Sequence, residues 1–72
     1  MFINPDNIVS EEILMQKEEF SIKKIFENVK IKLINYFNDN EEKLFKFVTD
    51  KVNALWESRV LTYTGYSYYV NI

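Results

Sequence analysis

The sequence lacks the residues on which many enzymes and metal sites depend. Its 72 residues include no cysteine and no histidine. Without cysteine there is no disulfide framework, no thiolate metal site and no thiol nucleophile. Without histidine there is neither the commonest metal ligand nor a base for the serine hydroxyls. A single glycine cannot form a phosphate-binding loop. We therefore expect no enzymatic activity and no cofactor or metal ion.

Three pairs of adjacent carboxylates, Glu11/Glu12, Glu18/Glu19 and Glu41/Glu42, are the remaining candidates for acid–base chemistry. Neighbouring residues on a helix point about 100° apart, so their carboxylates do not converge as such chemistry requires. The first and third pairs also stand at predicted helix starts, where acidic residues offset the helix dipole. We interpret these pairs as structural.

Long apolar runs and a basic excess are also missing. No stretch approaches the roughly 18 apolar residues of a membrane-spanning helix, and the N-terminus lacks the basic start of a signal peptide. The net charge is −2, whereas nucleic-acid binders usually carry a basic excess. We expect a soluble cytoplasmic protein that binds neither a membrane nor, as its main role, nucleic acid.

The composition does predict a folded core. The chain is 47% hydrophobic and 17% aromatic, which suits one small domain over residues 1–72. Its charges are uneven: residues 1–20 hold five acidic residues and one lysine, and residues 21–40 hold four lysines and two acidic residues. These segments could attract each other, or two copies could pair head to tail.

Two or three helices are predicted in the first 57 residues. A helix over 4–20 would begin at Asn4 and Pro5, which suit the cap and the first turn. Helices over 22–37 and 41–57 each place most of their large apolar side chains, among them Tyr36, Phe45 and Trp56, within an arc of about 120°. A capping box from Asp39, or Asn40 in its place, would begin the last of them. The short turn between these two helices predicts an antiparallel helical hairpin.

Residues 59–72 change to strand composition and predict a β-hairpin. Gly65 and Tyr66 suit a two-residue loop, which pairs Tyr63 with Tyr68, Thr62 with Tyr69 and Leu61 with Val70. One face would carry apolar residues, including Leu61, Tyr63, Tyr68, Val70 and Ile72, and would pack on the helices.

Four large side chains have no obvious place in this core. Ile31 lies opposite the apolar arc of its helix, and Phe47 lies away from the arc of the next. Tyr66 occupies the hairpin tip, and Tyr69 occupies the polar face. Tyrosine is frequent in protein interfaces, and surplus apolar residues in a small domain favour association. We predict that these four residues contact a partner protein.

The sequence thus predicts an α+β fold, with two or three helices followed by a C-terminal hairpin. The predicted function is a small non-enzymatic protein–protein interaction module, an inhibitor or adaptor that occludes the surface of another protein and also forms a homo-oligomer, in particular a dimer. The alternative is a winged-helix-like DNA-binding regulator, with 41–57 as recognition helix and 60–71 as wing. No motif in the sequence identifies a family.

Overall fold

Three helices precede a two-stranded antiparallel sheet in the computed structural model, which describes residues 4–71. The helices are α1 (Pro5–Leu14), α2 (Ile22–Leu33) and α3 (Glu41–Glu57), with a short 3₁₀ turn (Ile34–Phe37) after α2. The strands are β1 (Leu61–Tyr63) and β2 (Tyr68–Val70). The predicted α+β fold is confirmed.

Helix α1 is shorter than the predicted helix over 4–20. It begins as expected, since the Asn4 side chain accepts a hydrogen bond from the Asn7 amide. It ends at Leu14, although residues 15–19 have side chains that favour helices. The reason is tertiary: Phe20 is buried and its main chain pairs with Tyr68, which requires an extended approach to that point.

Helices α2 and α3 run in the antiparallel sense that the sequence predicted. The Phe26 ring lies 5.2 Å from that of Phe45, and Lys30 Nζ lies 2.9 Å from the Glu41 carboxylate. Contacts further along α2 thus meet earlier residues of α3.

The turn between α2 and α3 differs from the prediction in where the first helix ends and in which residue caps the second. The helix predicted over 22–37 becomes 3₁₀ after Leu33, a tightening that satisfies terminal carbonyl groups. Asn38 and Asp39 then adopt positive φ angles of 56° and 60°. The cap of α3 is Asn40, which accepts from the Lys43 amide; Asp39 makes no such bond.

The hairpin has the predicted register, which pairs Leu61 with Val70, Thr62 with Tyr69 and Tyr63 with Tyr68. Gly65 opens the loop with φ 109°, a conformation that residues with a Cβ rarely adopt. The expected buried face is only partly correct. Tyr63 stays 46% exposed, with its ring 4.8 Å from that of Tyr68 on the neighbouring strand. Ile72 lies outside the described residues.

The core lies where the inner sides of the three helices meet the hairpin. Its buried members are aliphatic except for Phe20, and they are Val9, Ile13, Phe20, Ile25, Val29, Leu33, Leu44, Val48, Val52 and Leu61. Phe20 anchors the segment between α1 and α2 through its hydrogen bonds with Tyr68, at 2.8 and 2.9 Å. This bridge adds an extended residue beside β2 and ties α1 to the hairpin.

One buried polar atom inside α3 generates a prediction. The Thr49 hydroxyl oxygen is buried and has no hydrogen-bond partner. An unpaired buried hydroxyl costs about 1–3 kcal/mol. We expect Thr49→Val, which keeps the shape and removes the hydroxyl, to raise the free energy of unfolding by about 1 kcal/mol. Urea denaturation measures this change, with Thr49→Ser as the control that keeps the hydroxyl. A less stable valine variant would contradict the prediction.

Candidate protein interaction surface

An open groove lies where the exposed side of α2 meets the start of α3. It has a volume of about 550 Å³. We call it the α2 groove, and its lining residues are Lys23, Phe26, Glu27, Lys30, Ile31 and Phe45. Five of the six belong to α2, so the spacing of residues along one helix determines most of its shape.

The apolar part of the groove consists of one aliphatic and two aromatic side chains. Ile31 is 88% exposed, the largest exposed fraction among the large hydrophobic side chains of residues 4–71. Phe26 and Phe45 meet edge to face, with ring centroids 5.2 Å apart. Phe26 is half-buried and packs against the core, whereas Phe45 is 41% exposed. The aromatic pair therefore gives the groove a wall anchored in the core.

The charged part of the groove contains both signs. The Lys30 ammonium lies 2.9 Å from the Glu41 carboxylate and 5.8 Å from the centre of the Phe26 ring. Lys23 and Glu27 make no ion pair with any other residue in 4–71. The apolar centre of the groove is thus flanked by two cations, of which Lys30 is paired with Glu41 and Lys23 is not, and by the carboxylate of Glu27.

Helix periodicity makes this groove suited to another helix. Lys23, Phe26, Glu27 and Lys30 are spaced i, i+3, i+4 and i+7, which is the arrangement of four residues around a hole in knobs-into-holes packing. Ile31 lies one turn after Glu27, beside that hole. The same face of α2 therefore carries both a knob and a hole.

The four residues predicted to contact a partner lie on different elements. Ile31 lines the α2 groove, whereas Phe47 lines another groove near Asp6. Tyr66 stands at the hairpin tip and is 85% exposed, and Tyr69 on β2 is 40% exposed. Ile31 and Phe47 therefore do not form one surface, and the tyrosines belong to the hairpin.

Phe47 is less available than the sequence analysis expected. Its side chain is half-buried, and its ring lies 5.3 Å from that of Phe37. The 3₁₀ turn brings Phe37 into this position. Nearby, Lys51 pairs with Asp6 of α1 at 2.9 Å. Phe47 therefore has neighbours in the fold although it lies away from the main apolar arc of α3, and its role in binding stays a prediction.

The sequence pattern placed four of the exposed aromatic residues on apolar faces. They are Tyr36, Phe45, Trp56 and Tyr63, which are 57%, 41%, 47% and 46% exposed. At 100° per residue, Phe45 and Trp56 lie together at one margin of the α3 apolar arc, about 100–120° from Leu44. Leu44 lies at the opposite margin of the same arc and is fully buried, so periodicity alone did not show which margin would be exposed.

Other features of residues 4–71 do not provide a site. No three acidic side chains in this range are grouped so that they could hold a metal ion. No helix formed by these residues is both long enough and apolar enough to cross a membrane.

Comparison with known proteins gives no family: no protein-family model matches the chain, and no curated protein or solved structure is significantly similar to it.

Leu44 and Phe45 are neighbours on α3 that differ in burial, and their substitution tests whether Phe45 lies outside the core. Leu44 is fully buried, so we expect Leu44→Ala to lower the free energy of unfolding by about 2–5 kcal/mol. Phe45→Ala should cost less than about 1.5 kcal/mol, because the ring is partly exposed and leaves no closed cavity. Urea denaturation at low protein concentration measures both. Equal losses would place Phe45 in the core.

Proposed function

We propose that the protein is a non-enzymatic protein–protein interaction module that covers the surface of another protein, as an inhibitor or adaptor does. The observation that carries this proposal is the exposure of Ile31 beside two phenylalanine rings in one groove. An exposed isoleucine alone is ordinary, but an exposed apolar cluster with a charged rim is typical of an interaction site. The sole tryptophan and several tyrosines are also partly exposed, and these are the residues that most often dominate binding energies.

The occupant that best suits the α2 groove is a second copy of the chain. If two α2 helices pack antiparallel, Ile31 of each copy enters the hole beside Phe26 of the other. The same register sets Glu27 of each copy opposite Lys30 of the other, so two pairs of opposite charges meet near the twofold axis, between the two apolar contacts. The groove is therefore self-complementary, as the contact in a twofold dimer must be.

The proposed dimer contact is small, so we expect a weak dimer. A stable interface commonly buries about 800 Å² on each partner. A contact limited to one face of α2 and the start of α3 falls at the lower end of interface sizes. We expect a reversible dimer whose population depends on protein concentration.

In this proposal the hairpin is the surface that binds a different protein. Tyr66 at its tip and Tyr69 on its polar face present large, rigid side chains with hydroxyl groups. Because the hairpin residues do not line the α2 groove, a dimer could form while this region binds another chain. An adaptor or inhibitor requires such a division between self-association and partner binding.

The winged-helix alternative has the right order of elements but the wrong charge. Two of the three lysines on α3 are already paired, Lys46 with Asp50 and Lys51 with Asp6. Lys43 is the only lysine of α3 that makes no ion pair with the described residues, beside two glutamates at the helix start. A recognition helix with so little positive charge would bind phosphate poorly, so we prefer the protein-binding function.

The role of Ile31 can be tested by one charge. We expect Ile31→Asp to raise the dissociation constant of the dimer by about tenfold or more, since it places a carboxylate in the apolar contact. Asn53→Asp adds the same charge at an exposed position of α3 outside the groove and should leave the dimer unchanged. Sedimentation velocity over a concentration series measures both. A natural-sequence protein that stays monomeric at every concentration would refute the dimer.

The predicted charge pair permits a sharper experiment. Glu27→Lys alone and Lys30→Glu alone should each weaken self-association, because like charges would then meet across the twofold axis. An equal mixture of the two variants should form a heterodimer, since positions 27 and 30 of one variant then face opposite charges on the other. Native mass spectrometry of the mixture, with one variant isotopically labelled, measures this recovery. If the mixture forms no more dimer than either variant alone, the antiparallel register is wrong.

A further inference from the structure

The outer edge of β1 has hydrogen-bonding groups that point away from its partner strand. The Thr64 amide donates to the Ser67 carbonyl at 2.8 Å, and the Asn71 amide donates to the Val60 carbonyl at 2.9 Å. Hydrogen-bonded pairs alternate with non-hydrogen-bonded pairs in an antiparallel ladder. Leu61 therefore belongs, like Tyr63, to the non-hydrogen-bonded pairs of the register. Their amides and carbonyls face outward.

At the opposite edge of the sheet, the outward main-chain groups of β2 have a hydrogen-bonding partner. Tyr68 is the ladder partner of Tyr63, and its outward amide and carbonyl pair with the main chain of Phe20. On the β1 side, outside the β1–β2 ladder, no hydrogen bond among residues 4–71 uses the main chain of Leu61 or Tyr63. The sheet is thus extended on one side and open on the other.

A groove runs along this open edge, between β1 and the C-terminal end of α3. Its volume is about 490 Å³, and its lining residues are Trp56, Glu57, Arg59, Leu61, Thr62 and Tyr63. Leu61 is only 2% exposed and forms the floor of the groove, whereas Tyr63 is 46% exposed. The main-chain groups of this edge that another chain can reach are therefore those of Tyr63. Trp56 and Tyr63, both nearly half exposed, form aromatic walls beside Leu61.

We propose that the edge of β1 binds an extended segment of a different protein, which joins the sheet as an additional strand. The main chain of this segment would pair with the amide and carbonyl of Tyr63, and one branched or aromatic side chain would occupy the groove beside Trp56, above Leu61. The inference rests on the proposed function as a protein-binding module, but not on the dimer through the α2 groove.

The charges of the groove specify the partner further. Arg59 is the only arginine of the chain and makes no ion pair with another residue in 4–71. Its planar guanidinium can bind one carboxylate through two hydrogen bonds. Glu57 lines the same groove and disfavours a segment with many acidic residues. The segment therefore carries a single carboxylate near its apolar side chain.

A second copy does not satisfy this edge equally well. If two β1 strands paired antiparallel around Thr62, Leu61 of each copy would face Tyr63 of the other. The same register would set Arg59 opposite Gly65 of the second copy, which offers no side-chain carboxylate. A different chain can supply that carboxylate, whereas the self-complementary charges of this protein lie on α2.

The experiment uses a display library of random ten-residue peptides, selected on the full chain carrying Ile31→Asp so that α2 dimers do not interfere. We expect the selected peptides to alternate apolar and polar residues and to carry one carboxylate. Bound peptide should slow the hydrogen exchange of the Tyr63 amide, as measured by NMR.

Variants at the edge separate main-chain pairing from side-chain contact. Tyr63→Pro removes the outward amide, and Tyr63→Ala removes the same ring but keeps the amide. We expect the proline variant to bind the selected peptides at least about tenfold more weakly than the alanine variant. Arg59→Gln should also weaken binding, and it provides a test if the proline variant does not fold.

Three results would overturn the proposal. The selection could yield no peptide that binds better than the background, or the bound peptides could protect amides elsewhere, such as those of α2. The Tyr63 signal could instead shift with protein concentration alone, which would make the occupant a second copy. Peptides bound elsewhere would leave the proposed binding function intact, and the charge-swap mixture tests the dimer independently.

Discussion

The limited size of the core determines which side chains of this protein remain on its surface. Ten buried residues, nearly all aliphatic, fill the space between three short helices and a small hairpin. A chain of this length covers only about 60% of its unfolded surface. Large aromatic side chains at the margins of the helical arcs, such as Phe45 and Trp56, therefore stay partly exposed. The interaction surfaces follow from this surplus.

Local sequence signals predicted the elements whose causes are local. Asn4 caps α1 as expected, and Gly65 fixes the loop and thus the register of the hairpin. The end of α1 could not be predicted, because the pairing of Phe20 with Tyr68 joins residues 48 positions apart and overrides the helical preference of residues 15–19. Long-range contacts of this kind leave no periodic trace in one sequence.

The same distinction explains what could be predicted of the candidate surface. Ile31 was recognisable because it lies opposite the apolar arc of a regular helix, and it is the most exposed of the large hydrophobic side chains described. The partial cover of Phe47 by Phe37 was not predictable, because the position of Phe37 follows from the 3₁₀ turn that connects α2 to α3. The open edge of β1 was not predicted, since it depends on which strand has a neighbour and not on its composition.

The two proposed surfaces differ in the physics that makes them specific. The α2 groove offers side chains, so its selectivity comes from the fit of a knob to a hole and from charges that complement themselves. The edge of β1 offers main-chain groups, which every polypeptide can match. Its selectivity must therefore come from Arg59 and from the groove between β1 and the C-terminal end of α3. Self-association suits the first kind of surface, because symmetry repeats a favourable pair of charges. Recognition of a different protein suits the second, because an extended segment needs only a short matching sequence.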